Sequence, residues 1–371
     1  MILKTKEFKD TCSIILNAID NSELSTLTET LELKTEGQIL FLNVTNKEYY
    51  LSVKFQLEHE EQFHATINAA LFLKLINAIT TEDIELKLYD TYMNIKANGI
   101  YKIPLIFDND KLMELPEIII QNKTLDMNIS GDILTSILQY NSKEIAKSSM
   151  AQPVQKLYYI DQQGCITFTS GACVNKFNLE KPIKVLFNSR LVKLFKLFKL
   201  SMVKFSLGYD ASSETLIQTK LLFETDSIKL TVITPSDNSL LSKVPVEKIR
   251  AMATKSYKYS IVLNKDAMLQ AINRLLLFSN KKDLNSYGDF TYNKDNITIK
   301  SVDDNIETIK IESGSMVNDD YSMLLNLTSL KNVLDTCIEP YINFNFGDNT
   351  AITITRGNIT NIIPENIRRS S

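Results

Sequence analysis

Near the start of the chain, Phe8, Cys12, Ile15, Leu16 and Ile19 recur at i, i+4, i+7, i+8 and i+11, one apolar stripe of a helix. The same build returns in "SGDILTSILQYN" from Ser130 and in "NKDAMLQAINRLLLFSN" from Asn264. A second helical pattern alternates with the first. It reads "NAALFLKLINAITTEDIELKLYD" from Asn68, "NSRLVKLFKLFKLSMVKFSLGYD" from Asn188 and "NLTSLKNVLDTCIEPYINFNFGD" from Asn326. Each copy opens on Asn, whose side-chain oxygen can accept from the first free N–H groups of a helix. Apolar residues then fall at matched offsets (Phe72, Val192, Leu330; Leu75, Phe195, Val333), and an alternating strand follows. Between the helices, runs such as "LELKTEGQILFLNV", "LYYIDQQGCITFT" and "DFTYNKDNITIKSV" alternate Ile, Leu, Thr, Tyr and Phe with polar residues around hairpin turns.

The pattern is a threefold repeat of helix, strands, helix, strands. Boundaries near 118–127 and 250–260 divide the chain into units 1–124, 125–255 and 256–371, an α+β organisation of short helices on antiparallel sheets. No low-complexity linker separates the units, so their sheets are expected to run on from one to the next.

The stretch "LVKLFKLFKL" at 191–200 is the most polarised. On an α-helix, Lys193, Lys196 and Lys199 drift along one side while Leu191, Leu194, Phe195 and Phe198 hold another. Such a segment can lie on a membrane, present a solvated lysine face over a core, or face a polyanion. The chain has no Trp, which makes one short helix a poor membrane anchor.

Composition narrows the classes. The 371 residues are 44% hydrophobic and 23% charged, with net charge −3, enough for two to four domains at roughly 100–200 residues each. This balance does not announce a nucleic-acid binder, but it allows one whose positive charge is confined to one face. Cys12, Cys165, Cys173 and Cys337 form no CxxC pair, which points to reduced thiols in a cytoplasmic protein without zinc or disulfides. The N-terminus lacks a signal-peptide pattern, and no apolar run approaches about 18 residues, so no membrane span is expected. His59 and His64 in "HEEQFH" stand one residue too far apart for a helical HExxH zinc site. GxSxG, P-loop and GxGxxG motifs are absent, and the ten glycines leave little material for phosphate-cradling loops. No enzyme and no cofactor are expected.

The threefold order, over essentially the whole chain, resembles the bacterial β sliding clamp, the processivity ring of the replicative DNA polymerase. "FNSRLVKLFKLF" is similar to the family's second-domain strand leading into an inner helix. "TFTSGACVNKF" at 167–177 stands where the family has a strand and then Thr-Asp-Gly-His-Arg-Leu, and "NIIPENI" resembles its terminal strand with a hydrophobic-Pro pair. Ala172 and Cys173 replace the usual His-Arg, and "TPSDNSLLSKVP" replaces the Phe-Pro-Asp-Tyr motif before the third domain.

The resemblance implies a head-to-tail homodimer of six domains. Helices would line a hole that duplex DNA threads without sequence readout, and the replicative polymerase and clamp loader would be partners. It implies a basic lining drawn from Lys6, Lys9, Lys74, Lys193, Lys196, Lys199, Arg274 and Lys331. A hydrophobic pocket for partner peptides would use Thr169, Gly171, Ala172, Cys173 and Val174 with Asn326, Ser329, Ala351, Ile362, Ile363 and Pro364. The subunit seam would pair 99–106 with 305–313, beside Leu277 and Phe278. Strand core for Ile362, and intradomain core for Leu277 and Phe278, are the plainer readings. A clamp-fold scaffold that binds proteins and never encircles DNA is the alternative function.

Overall fold

The computed structural model describes residues 1–19, 27–211, 217–235, 238–279, 286–314 and 321–366; the "IRRSS" tail lies outside them. The first helix of each repeat grows directly from a strand: Thr5–Ala18 from Ile2–Lys4, Gly131–Asn141 from Asn122–Ser130, and Lys265–Phe278 from Tyr259–Asn264. The second helices follow His64–Asn68, Lys184–Asn188 and Tyr321–Asn326. Asn68 and Asn326 cap as the pattern predicts, their side-chain oxygens accepting from Leu71 N at 2.9 Å and Ser329 N at 2.8 Å. Asn264 caps Lys265–Phe278 likewise, through Ala267 N at 2.9 Å.

The basic stretch departs from expectation. Val192–Phe198 is a 3-10 helix, not an α-helix. Its period of three residues per turn eclipses positions i and i+3. Lys193 and Lys196 therefore stack in a column instead of drifting round the axis, and Lys199 follows in the turn that ends the helix, its N–H donating to Lys196 O at 3.4 Å. The opposite side is fully inside: Leu194, Phe195 and Phe198 are buried, and Phe195 and Phe198 sit 5.5 and 5.8 Å from the Phe223 ring. Leu16 also departs from its predicted stripe. Phe8, Cys12 and Ile15 point inward, but Leu16 lies one residue, about 100°, further round and is 49% exposed.

The structure gathers into two compact units, Met1–Leu134 with Lys193–Ser236, and Thr135–Val192 with Asp237–Ser371. The unit boundary cuts the second repeat rather than following 124/125 and 255/256. The reason is strand pairing. In the first unit an eight-stranded sheet crosses from first to second repeat where Tyr49–Gln56 pairs antiparallel with Ile228–Thr234. In the other unit a twelve-stranded sheet crosses from second to third repeat where Ala172–Lys176 pairs antiparallel with Ile359–Pro364.

These two junctions follow one rule. The last strand of one repeat pairs with the third strand after the first helix of another, counting within each repeat's order of elements. The first repeat's last strand, Ile100–Pro104, instead ends its four-stranded sheet as an edge. The third repeat's matching strand is Ile306–Gly314. Its first half pairs only with Asn296–Ser301, and its second half turns to Tyr259–Asn264 through a register shift.

Candidate functional site

A cavity of about 270 Å³ lies wholly within the second unit, at the junction of Ala172–Lys176 with Ile359–Pro364. One wall is the turn joining Gly164–Phe168 to Ala172–Lys176, closed by Thr169 N donating to Gly171 O at 2.9 Å. Thr169, Gly171 and Ala172 line it. Across the ladder, Ala172 stands opposite Ile362 and Ala351 opposite Pro364, which brings Ala351, Ile362 and Pro364 to the same wall. The third wall was not expected: Pro245 and the helix Val246–Thr254, contributing Lys248, Ile249 and Met252. Its sequence signal was an apolar i, i+3 pair, Ile249 and Met252, just after a helix-starting Pro.

The remaining residues expected in the pocket do not line this cavity, and strand geometry says why. Successive side chains alternate faces. Cys173 therefore points away from Ala172, and its thiol donates to Tyr140 O at 3.5 Å. Burial pushes that thiol up to about 12, so it is a neutral core group. Ile363 likewise points away from Ile362, into the third repeat's core with Ile352 and Ile354. Val174 is buried in the core that includes Ile166 and Ile249. Asn326 and Ser329 form the cap of Leu327–Leu334.

The lining carries one charged side chain, Lys248, at an exposed position. Behind the wall lies another ionisable group. Glu144 is buried (6% exposed), and its Oε2 accepts from the Thr169 hydroxyl at 3.0 Å. Burial raises its carboxyl above the ordinary carboxylate value, against the opposing hydrogen bond from Thr169.

The expected seam residues are exposed rather than core: Leu277 at 80% and Phe278 at 61%, with Ile100 at 69% and Ile306 at 61% on the two open strands. Of the expected basic residues, Lys6, Lys74, Lys196 and Lys199 are exposed, and Lys193 is half-buried and makes a contact of its own. Others are engaged. Lys9 Nζ donates to Asn77 O at 3.0 Å and Ile79 O at 2.5 Å, tying its helix to the end of Ala69–Ala78. Arg274 makes a two-pronged ion pair with Glu307 at 2.7 and 2.8 Å, and Lys331 pairs with Asp335 at 2.8 Å.

No family model and no curated protein matches this sequence. Solved structures do, along the whole chain, and the fold they define is that of a sliding clamp. The DNA polymerase III subunit beta of Pseudomonas aeruginosa is 13% identical at a TM-score of 0.81, covering 99% of each chain. The DNA polymerase sliding clamp of Bacillus subtilis is 14% identical at 0.79, again covering 99% of each. The DNA polymerase III beta subunit of Thermotoga maritima is 13% identical at 0.80, covering 100% of this chain and 99% of that one. The α+β clamp fold that the resemblance implied is the fold this chain has, and at this identity the likeness is one of fold.

Proposed function

We propose that this protein is a DNA polymerase processivity factor, a non-catalytic clamp of three domains (1–124, 125–255, 256–371) that closes as a head-to-tail homodimer around duplex DNA. The observation that carries the reading is the repeated junction rule with its two open ends. Ile100–Pro104 and the first half of Ile306–Gly314 are the strand types that pair at both internal junctions. Each lacks that partner among the described residues, and each exposes an isoleucine there. Open strand edges invite pairing. Two copies joined antiparallel at both ends satisfy all four edges.

The column of Lys193, Lys196 and Lys199 then meets phosphates without reading sequence, helped by Lys6 and Lys74. A net-acidic protein with a basic lining is held by topology and not by tight binding. The cavity at Thr169, Ile362 and Met252 takes an apolar peptide of the polymerase, the clamp loader or other partners. The test is light scattering followed by retention on circular DNA. A mass of about twice 42.2 kDa, with retention on closed circles and loss on linearisation, supports the ring. A monomer, or equal retention on both DNA forms, defeats it.

A further inference from the structure

Resting on the peptide-pocket reading, we propose that the Asp161–Arg250 ion pair sets the size of apolar anchor the pocket accepts, by tethering a helical wall that otherwise yields into a second cavity behind it. That wall is Val246–Thr254. At about 100° per residue its side chains divide between two sides. Lys248, Ile249 and Met252 line the front cavity at Thr169 and Ile362. Val246 and Arg250 face the other way, into a cavity of about 390 Å³ shared with Tyr159, Asp161 and Val244. Both cavities lie within the second unit. The helix thus has open space on both flanks. Close packing is what holds an interior element in place, and here it is thin. Of the nine residues of the helix only Ile249 is buried. Val246, Met252 and Ala253 pack against the same core in part, and Pro245 gives the helix no side-chain cap.

One strong polar contact joins the helix to the sheet on the rear side. Arg250 Nη2 donates to Asp161 Oδ1 at 2.7 Å. Asp161 is buried, and the same oxygen accepts from Gln163 N at 2.9 Å, which fixes the carboxylate at the turn between Leu157–Asp161 and Gly164–Phe168. The second of those strands runs on into the Thr169 turn, the facing wall of the front cavity. The pair therefore sets the spacing between helix and strand wall. Lys184 and Glu247 stand on the rear rim, but both are exposed, where water screens charge. Asp161 and Arg250 touch no peptide in this scheme and are positioning residues.

The test uses the full-length protein and two synthetic peptides, identical but for one apolar anchor, leucine or tryptophan. Affinities come from calorimetry, and thermal unfolding checks each variant. Wild type should prefer the leucine peptide by about tenfold, the scale on which an apolar pocket rejects an oversized group. Asp161→Asn keeps an acceptor for Gln163 N and removes the charge that holds Arg250. The preference should then shrink to within about twofold, because a wall without backing yields to the larger anchor. Adding Arg250→Gln leaves no unpaired charge and carries the same expectation should Asp161→Asn unfold. Val246→Phe, added to Asp161→Asn, fills the rear cavity and should restore the preference to about tenfold. An equal loss of both peptides in Asp161→Asn overturns the inference, since that is what damage to the fold produces. So does an unchanged preference there, a wild type that takes both peptides alike, or a Val246→Phe that restores nothing. In each of these the pocket reading stands, because wild type still binds apolar peptide. If wild type binds neither peptide, the pocket reading falls and this inference with it.

Discussion

At the scale of single residues, burial separates the groups that can be probed from those that cannot. Ile362 is 3% exposed and belongs to the core of the second repeat. A charge there would damage the fold by several kcal/mol and say little about binding. Met252 is half-buried on the helical wall, so Met252→Asp is the cleaner probe. It should lower the affinity of an apolar peptide roughly tenfold or more, as loss of a central apolar contact does, with the unfolding temperature nearly unchanged. Equal affinity would remove that wall from the site. Asp348 gives a second test at this scale. Burial alone would raise its carboxyl, but the hydrogen bonds from Lys255 and from Thr350 and Ala351 outweigh it and hold the group down at about 2. An unfolded carboxylate titrates near 3.9, roughly. The stability this group contributes is thus complete above about pH 4 and is lost as pH falls toward about 2. Replacing Asp348 with Asn should flatten the acid dependence in that window, as followed by denaturant midpoints. An unaltered slope would assign the acid sensitivity to other carboxylates.

At the scale of elements, the lysine column makes the sharpest claim. Because a 3-10 turn aligns i with i+3, Lys196 and Lys199 should act on phosphates as neighbours in one file. Lys196→Glu with Lys199→Glu should flatten the slope of log affinity against log salt by about 0.9 for each lysine, measured on a topologically trapped circle. The dimer mass should not change. A variant with the wild-type slope would make the column ordinary surface. The helices and the Asn68 and Asn326 starts were legible in the sequence, because capping and the 3.6-residue stripe are local; Asn188 is not a cap, since it stands before Val192–Phe198 and accepts from Arg190 N. The 3-10 form was not legible: over eight residues, buried positions at 191, 194, 195 and 198 satisfy either period. The pocket was half legible. Its strand walls could be placed from the repeat and the family pattern, including Ala351 opposite Pro364. The faces of Cys173 and Ile363 needed the strand register. Val246–Thr254 was overlooked because it lies at a repeat boundary and has no counterpart among the recurring helices.

At the scale of the whole molecule, the exposed pair Leu277 and Phe278 and the open strands make association the decisive property. Leu277→Lys combined with Phe278→Asp should give monomers by light scattering, because the seam would have to bury two unpaired charges. A dimer of unchanged mass would move the seam elsewhere. The junctions inside the chain carry a consequence for how loosely the fold depends on residue identity. Where Ala172–Lys176 meets Ile359–Pro364, the repeats are held by main-chain N–H and C=O groups, and every residue but proline has both. Such a joint constrains which residues face inward and forbids few identities. Letters can be exchanged along it, generation after generation, while the repeats stay fastened in the same order. One outline can then be shared by chains that agree at only about one position in eight, as this one does with the clamps it matches in structure.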